Sequence, residues 1–216
     1  MRLGVFDSGI GGEAIARALR DAFPGAEILS ANDRAGLPYG DKPPPEIIRR
    51  ANAAIRPLLD ARCDIIVLAC NTATAVAIDT LRALHPAQKF IGIEPMLKPA
   101  AALTRSGVVA VCATRATLSS ARYRRLLETH AGNLRVLEPD CSDWASLIEN
   151  NRLNRARLRD TIETVCREGA DVIVLGCTHY HWIKKNISAL AAGRARVIEP
   201  SGAIARRVRE LLATSP

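Results

Sequence analysis

Short apolar runs alternate along the chain with longer segments in which apolar positions recur every three or four residues. The short runs are rich in Val and Ile. They predict strands buried on both faces, and the longer segments predict amphipathic helices between them. The predicted strands are Arg2 to Phe6, Glu27 to Ser30, Asp64 to Ala69, Phe90 to Ile93, Val108 to Ala113, Leu134 to Leu137, Asp171 to Gly176 and Arg196 to Ile198. The predicted helices are Glu13 to Ala22, Pro45 to Ala61, Thr74 to Leu84, Leu97 to Thr104, Ser119 to Thr129, Asn154 to Glu168, His181 to Ala191 and Ala203 to Leu212.

The two halves of the chain echo each other. Asp64-Ile-Ile-Val-Leu-Ala-Cys70 recurs as Asp171-Val-Ile-Val-Leu-Gly-Cys177, and Ile93-Glu-Pro95 recurs as Ile198-Glu-Pro200 in nearly the same register. One such match can arise by chance between strands rich in Val and Ile, but two in one register favour an internal duplication. The sequence therefore predicts an α/β fold of two similar domains with mainly parallel sheets, related by pseudo-twofold symmetry.

Each Ile-Glu-Pro segment marks a predicted crossing between the two halves, because proline restricts the local backbone. We expect residues 1–95 and 200–216 to form the first α/β domain and residues 96–199 to form the second. Ligands of parallel α/β sheets bind outside the carboxyl ends of the strands. The expected active site is therefore a cleft between the domains, with the duplicated strand ends on either side.

Composition and charge narrow the function only by exclusion. The chain has 216 residues, of which 48% are hydrophobic and 24% charged, as in globular proteins. Its net charge is +8, yet only 4% of its residues are aromatic. No nucleic-acid-binding signature accompanies the arginines, so we expect them on solvated helix faces and expect no nucleic acid partner.

Charged residues interrupt every apolar run before it reaches the roughly 18 residues of a membrane span, so no membrane association is expected. The first residues include Asp7 and lack the apolar core of a secretory signal, which predicts a cytoplasmic protein. The six cysteines are then expected to be thiols rather than disulfides. Their spacing suggests no metal site.

Cys70 and Cys177 stand out because each ends a predicted strand and precedes a polar turn into a helix. The start of a helix lowers the pKa of a thiol and binds carboxylates, so both positions favour reactivity. Two thiols at equivalent strand ends could approach one carbon atom from opposite sides. The other four cysteines, Cys63, Cys112, Cys141 and Cys166, are expected to be small buried hydrophobes.

A glycine-rich turn, Asp7-Ser-Gly-Ile-Gly-Gly12, follows the first predicted strand. Gly9, Gly11 and Ala14, together with Asp33, satisfy a weak dinucleotide-binding fingerprint. The carboxylate of Asp7 would repel a pyrophosphate, so a turn that presents Asp7 to an amine or to a proton in transfer fits better. No cofactor is expected.

Three further segments carry candidate residues. The loop Leu37 to Lys42 could border a cleft or form an ordinary turn. Thr114 and Thr117 offer hydroxyls to a carboxylate, or one of them caps a helix. His179, two residues after Cys177, is placed to orient or protonate a neighbour of the thiol.

Taken together, these segments resemble the glutamate racemases of the aspartate/glutamate racemase superfamily, over nearly the whole chain. The segments that carry the resemblance are Gly4-Val-Phe-Asp-Ser-Gly-Ile-Gly-Gly12, Pro38-Tyr-Gly40, Ala69-Cys-Asn-Thr-Ala73, Ile93-Glu-Pro95, Ala113-Thr114 with Thr117, and Gly176-Cys-Thr-His-Tyr180. The resemblance implies a cofactor-independent interconversion of L- and D-glutamate that supplies D-glutamate for peptidoglycan synthesis. It implies two thiol bases, Cys70 and Cys177, assisted by Asp7, His179 and Glu149. The substrate-binding residues that it implies are Ser8, Pro38, Tyr39, Gly40, Asn71, Thr72, Thr114, Thr117 and Thr178.

Alternatives stay open at this point. His179 stands where relatives that act on aspartate usually have Glu, which favours glutamate, yet a racemase of aspartate or another amino acid remains an alternative. A catalytically silent binding protein on the same fold is another. The chain ends at Pro216, short of the family's usual length, and this leaves the oligomeric state open, a homodimer included.

Overall fold

The computed structural model describes residues 1–213, which form two compact units. One unit comprises Met1–Ile93 with the segment that begins at Pro200, and the other comprises Glu94–Glu199. The strands are β1 (Arg2–Asp7), β2 (Glu27–Asn32), β3 (Ile65–Leu68), β4 (Lys89–Gly92), β5 (Val108–Ala113), β6 (Arg135–Leu137), β7 (Val172–Gly176) and β8 (Arg196–Ile198). The helices are α1 (Gly12–Ala22), α2 (Pro44–Ala54), α3 (Arg56–Asp60), α4 (Asn71–Leu84), α5 (Leu97–Leu103), α6 (Arg115–Leu118), α7 (Ala121–His130), α8 (Trp144–Glu149), α9 (Arg155–Arg167), α10 (Lys184–Ala191) and α11 (Ser201–Ala213).

Each unit contains one four-stranded sheet in which every strand pair is parallel. The order is β2-β1-β3-β4 in the first unit and β6-β5-β7-β8 in the second, so the duplicated segments occupy equivalent strands, β3 and β7. The predicted α/β class with two parallel sheets is confirmed. All eight predicted strands are present, displaced by no more than two residues at an end.

Both faces of each sheet are covered, which is why the central strands are apolar throughout. In the first unit, side chains of α2 and α4 pack on one face and those of α1 and α11 on the other. In the second unit, α8, α9 and α10 cover one face, and α5 and α7 cover the other. A strand buried on both faces loses the alternation of apolar and polar residues, as β3 and β7 show.

An aspartate anchors the start of each duplicated segment. The Oδ2 atom of Asp64 accepts the backbone N–H of Arg2 at 2.7 Å. Asp171 accepts the N–H groups of Arg105 and Ser106 at 2.7 and 2.9 Å and the hydroxyl of Thr104 at 2.5 Å. Each aspartate thus ties its strand to the chain entering the neighbouring strand, β1 or β5.

The helices depart from the prediction in five places. The predicted helix Pro45 to Ala61 is two helices that meet at Ile55, because Pro57 has no N–H for the next helical hydrogen bond. Helix α4 begins at Asn71 rather than Thr74, directly after Cys70. The predicted helix from His181 is a 3-10 turn, Thr178–Ile183, followed by α10, and the short helices α6 and α8 were not predicted.

None of the helices within residues 1–213 is long and apolar enough to cross a membrane. All six cysteines lie in this range and are free thiols. Cys63, Cys112 and Cys141 are buried, as predicted, whereas Cys166 is only half-buried.

Candidate functional site

Cys70 lies between β3 and α4 and caps the helix. It has extended backbone angles, and its Sγ accepts the N–H of Ala73 at 3.4 Å. The Oγ1 atom of Thr74 donates to the carbonyl of Leu68 at 3.1 Å, which holds the first turn of α4 against the end of β3. The thiol therefore sits at the positive end of a 14-residue helix.

Ser8 and Asp7 reach the same place from β1, which pairs with β3. The Oγ atom of Ser8 is 3.3 Å from the Sγ of Cys70, and the Oδ2 atom of Asp7 accepts the N–H of Gly9 at 2.9 Å. Gly12 leaves room for this carboxylate, because a Cβ there would lie 2.6 Å from the Cβ of Asp7. We call Asp7, Ser8, Cys70, Asn71 and Thr72 the Cys70 cluster.

The environment raises the pKa of Cys70 to about 11, and the negative charge of Asp7 adds to the effect of burial. The hydrogen bonds from Ser8 and from the amide of Ala73 oppose this shift without reversing it. The amide of Ala73 at the helix start lowers the pKa of this thiol, as expected, but burial and the carboxylate of Asp7 outweigh it, so the net shift is upward. Cys70 is therefore a protonated thiol at neutral pH.

Asn71 is buried at the start of α4, and neither polar atom of its side chain has a hydrogen-bond partner in the part of the chain that the structure describes. A buried amide without partners is costly and uncommon in folded proteins. Thr72 beside it is also buried. Asn71 is therefore suited to bind a polar ligand next to Cys70.

The loop with Pro38, Tyr39 and Gly40 also belongs to the first unit. Tyr39 is buried, its ring lies 6.5 Å from that of Phe6, and its hydroxyl donates to Asp33 at 2.9 Å. Burial first, and then this hydrogen bond, raise the pKa of Tyr39 well above its usual value. Arg50 donates to the same carboxylate oxygen at 3.1 Å, so Asp33 is occupied with holding the loop.

Cys177 follows β7 and opens the 3-10 turn. Its Sγ lies 3.9 Å from Nδ1 of His179, and Nε2 of the same ring lies 2.7 Å from Oε2 of Glu149, the last residue of α8. Gly176 permits close approach of the strands here, because a Cβ would lie 2.9 Å from the Cβ of Ala113. The structure thus places a thiol, an imidazole and a carboxylate in a row. We call Cys177, Thr178, His179 and Glu149 the Cys177 cluster.

Thr114 and Thr117 lie after β5 in the same unit. The side chain of Thr114 accepts the N–H of Thr117 at 3.4 Å, and the two hydroxyl oxygens are 3.0 Å apart. Thr114 therefore caps the four-residue helix α6, which is the structural alternative raised from the sequence. Both residues are buried, as is Thr178.

The sequence missed the contacts that join distant segments. Ser8 was expected only to bind substrate, but it also lies against Cys70, which the adjacency of β1 and β3 explains. The hydroxyl of Tyr180 donates to the carbonyl of Cys141 at 2.7 Å, and nothing in the local pattern indicates it. Residues 1–213 hold no group of three or more His, Cys, Asp or Glu side chains that could bind a metal ion.

Comparison with known families places the chain. Residues 13–208 match the family model described as Asp/Glu/Hydantoin racemase. This match covers most of the chain, and the two thiols at equivalent strand ends lie within it. The chain belongs to this racemase family.

Three relatives that the chain resembles are glutamate racemases. The glutamate racemase of Stutzerimonas stutzeri (strain A1501) is 40% identical over 215 residues, which cover 98% of this chain and 81% of the relative. The structure of Escherichia coli glutamate racemase with L-glutamate and the activator UDP-MurNAc-ala has a TM-score of 0.85 at 28% identity, covering 99% of this chain and 83% of the other. Glutamate racemase from Francisella tularensis, in complex with D-glutamate, has a TM-score of 0.82 at 28% identity, covering 98% and 80%.

Proposed function

We propose that this protein interconverts L- and D-glutamate without a cofactor, by proton transfer between the substrate and two thiols, Cys70 and Cys177. The observation that carries the proposal is the matched position of the thiols at the ends of β3 and β7, each with its own acid or base beside it. The relatives named glutamate racemase support the choice of substrate.

In the proposed reaction, one sulfur takes the α-proton from glutamate, and the electron pair of the broken C–H bond stays on the α-carbon. The other sulfur then gives its proton to the opposite face of that carbon. The first sulfur ends as a thiol and the second as a thiolate, so the enzyme runs the reverse reaction with the roles exchanged. This requires both thiols to reach one substrate carbon from opposite faces.

The helpers differ on the two sides. Cys70, whose pKa is raised to about 11, is the natural proton donor in one direction. In the other direction it must ionise, and we propose that the ammonium group of the substrate beside it favours the thiolate. On the other side, Nε2 of His179 lies 2.7 Å from Glu149, and we propose that it carries the ring proton and donates it to that carboxylate, so that Nδ1 can take the proton of Cys177.

Polar groups near the thiols would hold the amine and carboxylates of the substrate. The unsatisfied amide of Asn71 supports its assignment. Buried hydroxyls and the amides of a helix start can bind the substrate's carboxylate. This binding makes the α-proton more acidic, because it stabilises the negative charge that develops when the proton leaves. The proposed binding residues are Ser8, Pro38, Tyr39, Gly40, Asn71, Thr72, Thr114, Thr117 and Thr178.

The test is a coupled assay that detects D-glutamate formed from L-glutamate by the purified protein with no added cofactor, with and without EDTA. Equal turnover in both samples is expected. No D-glutamate from L-glutamate, but turnover of aspartate or another amino acid in a substrate panel, would replace the substrate and keep the reaction. No turnover of any amino acid would favour the catalytically silent binding protein.

The cellular role rests on the family resemblance alone. We propose that the D-glutamate enters peptidoglycan synthesis and that the enzyme acts in the cytoplasm. A homodimer and the lack of a nucleic acid partner stay predictions, and gel filtration with light scattering measures the first of these.

A further inference from the structure

Helix α8 carries Glu149 at its last position, and the carboxylate lies 2.7 Å from the ring of His179. A helix of six residues has too few hydrogen bonds to be stable alone, so its position depends on contacts with the rest of the unit. Whatever places α8 therefore also sets the contact between Glu149 and His179.

Tyr180, the residue that follows His179, contacts the start of α8 and so helps to position this helix. Its hydroxyl donates to the carbonyl of Cys141 at 2.7 Å, and the same carbonyl accepts the N–H of Trp144, the first residue of α8, at 3.1 Å. The ring of Tyr180 also meets the ring of Trp144 edge-on, with 5.4 Å between centroids. One side chain thus joins the turn that carries His179 to the start of the helix that carries Glu149.

Burial separates this role from substrate binding. Tyr180 is 0% exposed and Trp144 is 1% exposed, and both lie in the core between α9, α10 and the sheet. The one polar group of the Tyr180 side chain already donates to the carbonyl of Cys141, so Tyr180 has no polar atom to offer to glutamate. Any effect of Tyr180 on the reaction must therefore pass through its neighbours.

We propose that Tyr180 is a positioning residue of the racemase: it holds α8 so that Glu149 meets His179 beside Cys177. The inference rests on the proposed function of the Cys177 cluster. Removal of the hydroxyl would loosen α8 without unfolding it, because the carbonyl of Cys141 keeps the N–H of Trp144. Misplacement of a catalytic partner by about 1 Å can reduce turnover about 100-fold.

The test compares Tyr180→Phe with Tyr123→Phe. Tyr123 is the matched control, because it is also buried in the same unit but on the opposite face of the sheet from α8, and its hydroxyl donates to Glu138 at 2.8 Å. We expect Tyr180→Phe to lower kcat by ~10- to 100-fold with little change in KM, and Tyr123→Phe to leave both nearly unchanged.

A purely structural role would not change which proton transfer limits the rate. We expect Tyr180→Phe to raise the primary deuterium isotope effect for the enantiomer whose α-proton Cys177 removes, and to leave the effect for the other enantiomer as in wild type. In a Glu149→Gln background, Tyr180→Phe should lower kcat by less than about a further twofold, because the residue through which Tyr180 acts is already changed. Trp144→Phe, which reduces the other contact of Tyr180, should shift the same isotope effect.

The outcomes separate the two proposals. Wild-type protein that forms no D-glutamate overturns the proposed function. If wild type is active, either of two results overturns only the positioning role. One is that Tyr180→Phe behaves like Tyr123→Phe; the other is that Tyr180→Phe lowers kcat as much in the Glu149→Gln background as it does alone. If Tyr180→Phe does not fold, the isotope effect of Trp144→Phe tests the proposal instead. A value equal to that of wild type for both enantiomers overturns it.

Discussion

The Cys70 and Cys177 clusters lie at the ends of equivalent strands, β3 and β7, but surround their thiols differently. Both duplicated segments start with an aspartate that ties down the neighbouring strand and end with a cysteine. Beside Cys70 lie a hydroxyl, a carboxylate and the amides of a long helix, whereas beside Cys177 lie an imidazole and the carboxylate that faces it. The duplicated sheet thus places the sulfur atoms, and other segments determine their acid–base behaviour.

The segments that differ are the insertions between equivalent strands. Between β2 and β3 the first unit has the Tyr39 loop followed by α2 and α3. Between β6 and β7 the second unit has α8 and α9, and α8 supplies Glu149. A symmetric reaction can therefore use two chemically unlike partners, provided that each moves one proton.

The strongest test of the comparison removes each thiol in turn. Cys70→Ala and Cys177→Ala should each reduce racemisation by about 10³-fold or more, because one member of a catalytic unit is lost. With each glutamate enantiomer in heavy water, residual α-proton exchange should favour opposite enantiomers in the two variants, as measured by mass spectrometry or NMR. Wild type should place deuterium at the α-carbon of newly formed product.

Cys166→Ala is the control for these variants, because Cys166 is half-buried on α9 and belongs to neither cluster. Near wild-type racemisation by Cys70→Ala or Cys177→Ala would remove the two-thiol mechanism. The same exchange preference in both variants would show that the thiols do not serve opposite faces.

The helpers should also act on opposite directions of the reaction. Asp7→Asn and His179→Asn should each lower kcat about 100-fold, a usual value for loss of acid–base assistance. The primary isotope effect should rise for one enantiomer in Asp7→Asn and for the other in His179→Asn. A rise for the same enantiomer in both would contradict the pairing of each helper with its own thiol.

Alkylation tests the raised pKa of Cys70. Since only the thiolate reacts, and since the pKa is about 11 rather than the ordinary 9.0, labelling of Cys70 by iodoacetamide should rise about tenfold per pH unit from pH 8 to 10. Peptide mapping of the label measures this rate, and excess glutamate should slow it. A labelling rate that bends near pH 9 and levels off by about pH 10 would show that the thiol ionises as easily as a free cysteine.

The smallest effect on turnover is expected for a change at Asp171, the residue before β7. Burial alone would raise the pKa of Asp171, but hydrogen bonds from Thr104, Arg105 and Ser106 together lower it to about 2. Its contribution to stability is therefore present above about pH 4 and is lost as pH falls towards 2. Asp171→Asn should lose about 2 kcal/mol of unfolding free energy at pH 7 with unchanged kcat.

Denaturant titrations of Asp171→Asn at pH 7 and in acid measure this contribution, and the exposed Asp160→Asn on α9 is the control. Equal stability of Asp171→Asn and wild type at pH 7 would show that the backbone N–H groups find other partners. A loss of stability that persists unchanged below pH 3 would contradict the assigned direction of the pKa shift.

The strands could be predicted from sequence because burial on both faces leaves uninterrupted Val- and Ile-rich runs. Helix α8 was missed because its six residues are too few for an apolar period to emerge. The contact of Glu149 with His179 joins residues 30 positions apart, and the family resemblance implies only that both residues assist the thiols. The net upward shift of the Cys70 pKa cannot be predicted from the sequence, because the sequence displays the helix start, which lowers the pKa, but not the depth of burial, which raises it.

The close approach at Gly176 also limits how far the two halves of the chain can be exchanged. The equivalent residue before Cys70 is Ala69, so the first unit tolerates a methyl group at that point. In the second unit the same methyl would lie 2.9 Å from Ala113 and 3.2 Å from the carbonyl oxygen of Cys112, both on β5. Recombination that copied the first segment over the second would therefore push the sulfur of residue 177 out of place, although the copied strand keeps its cysteine.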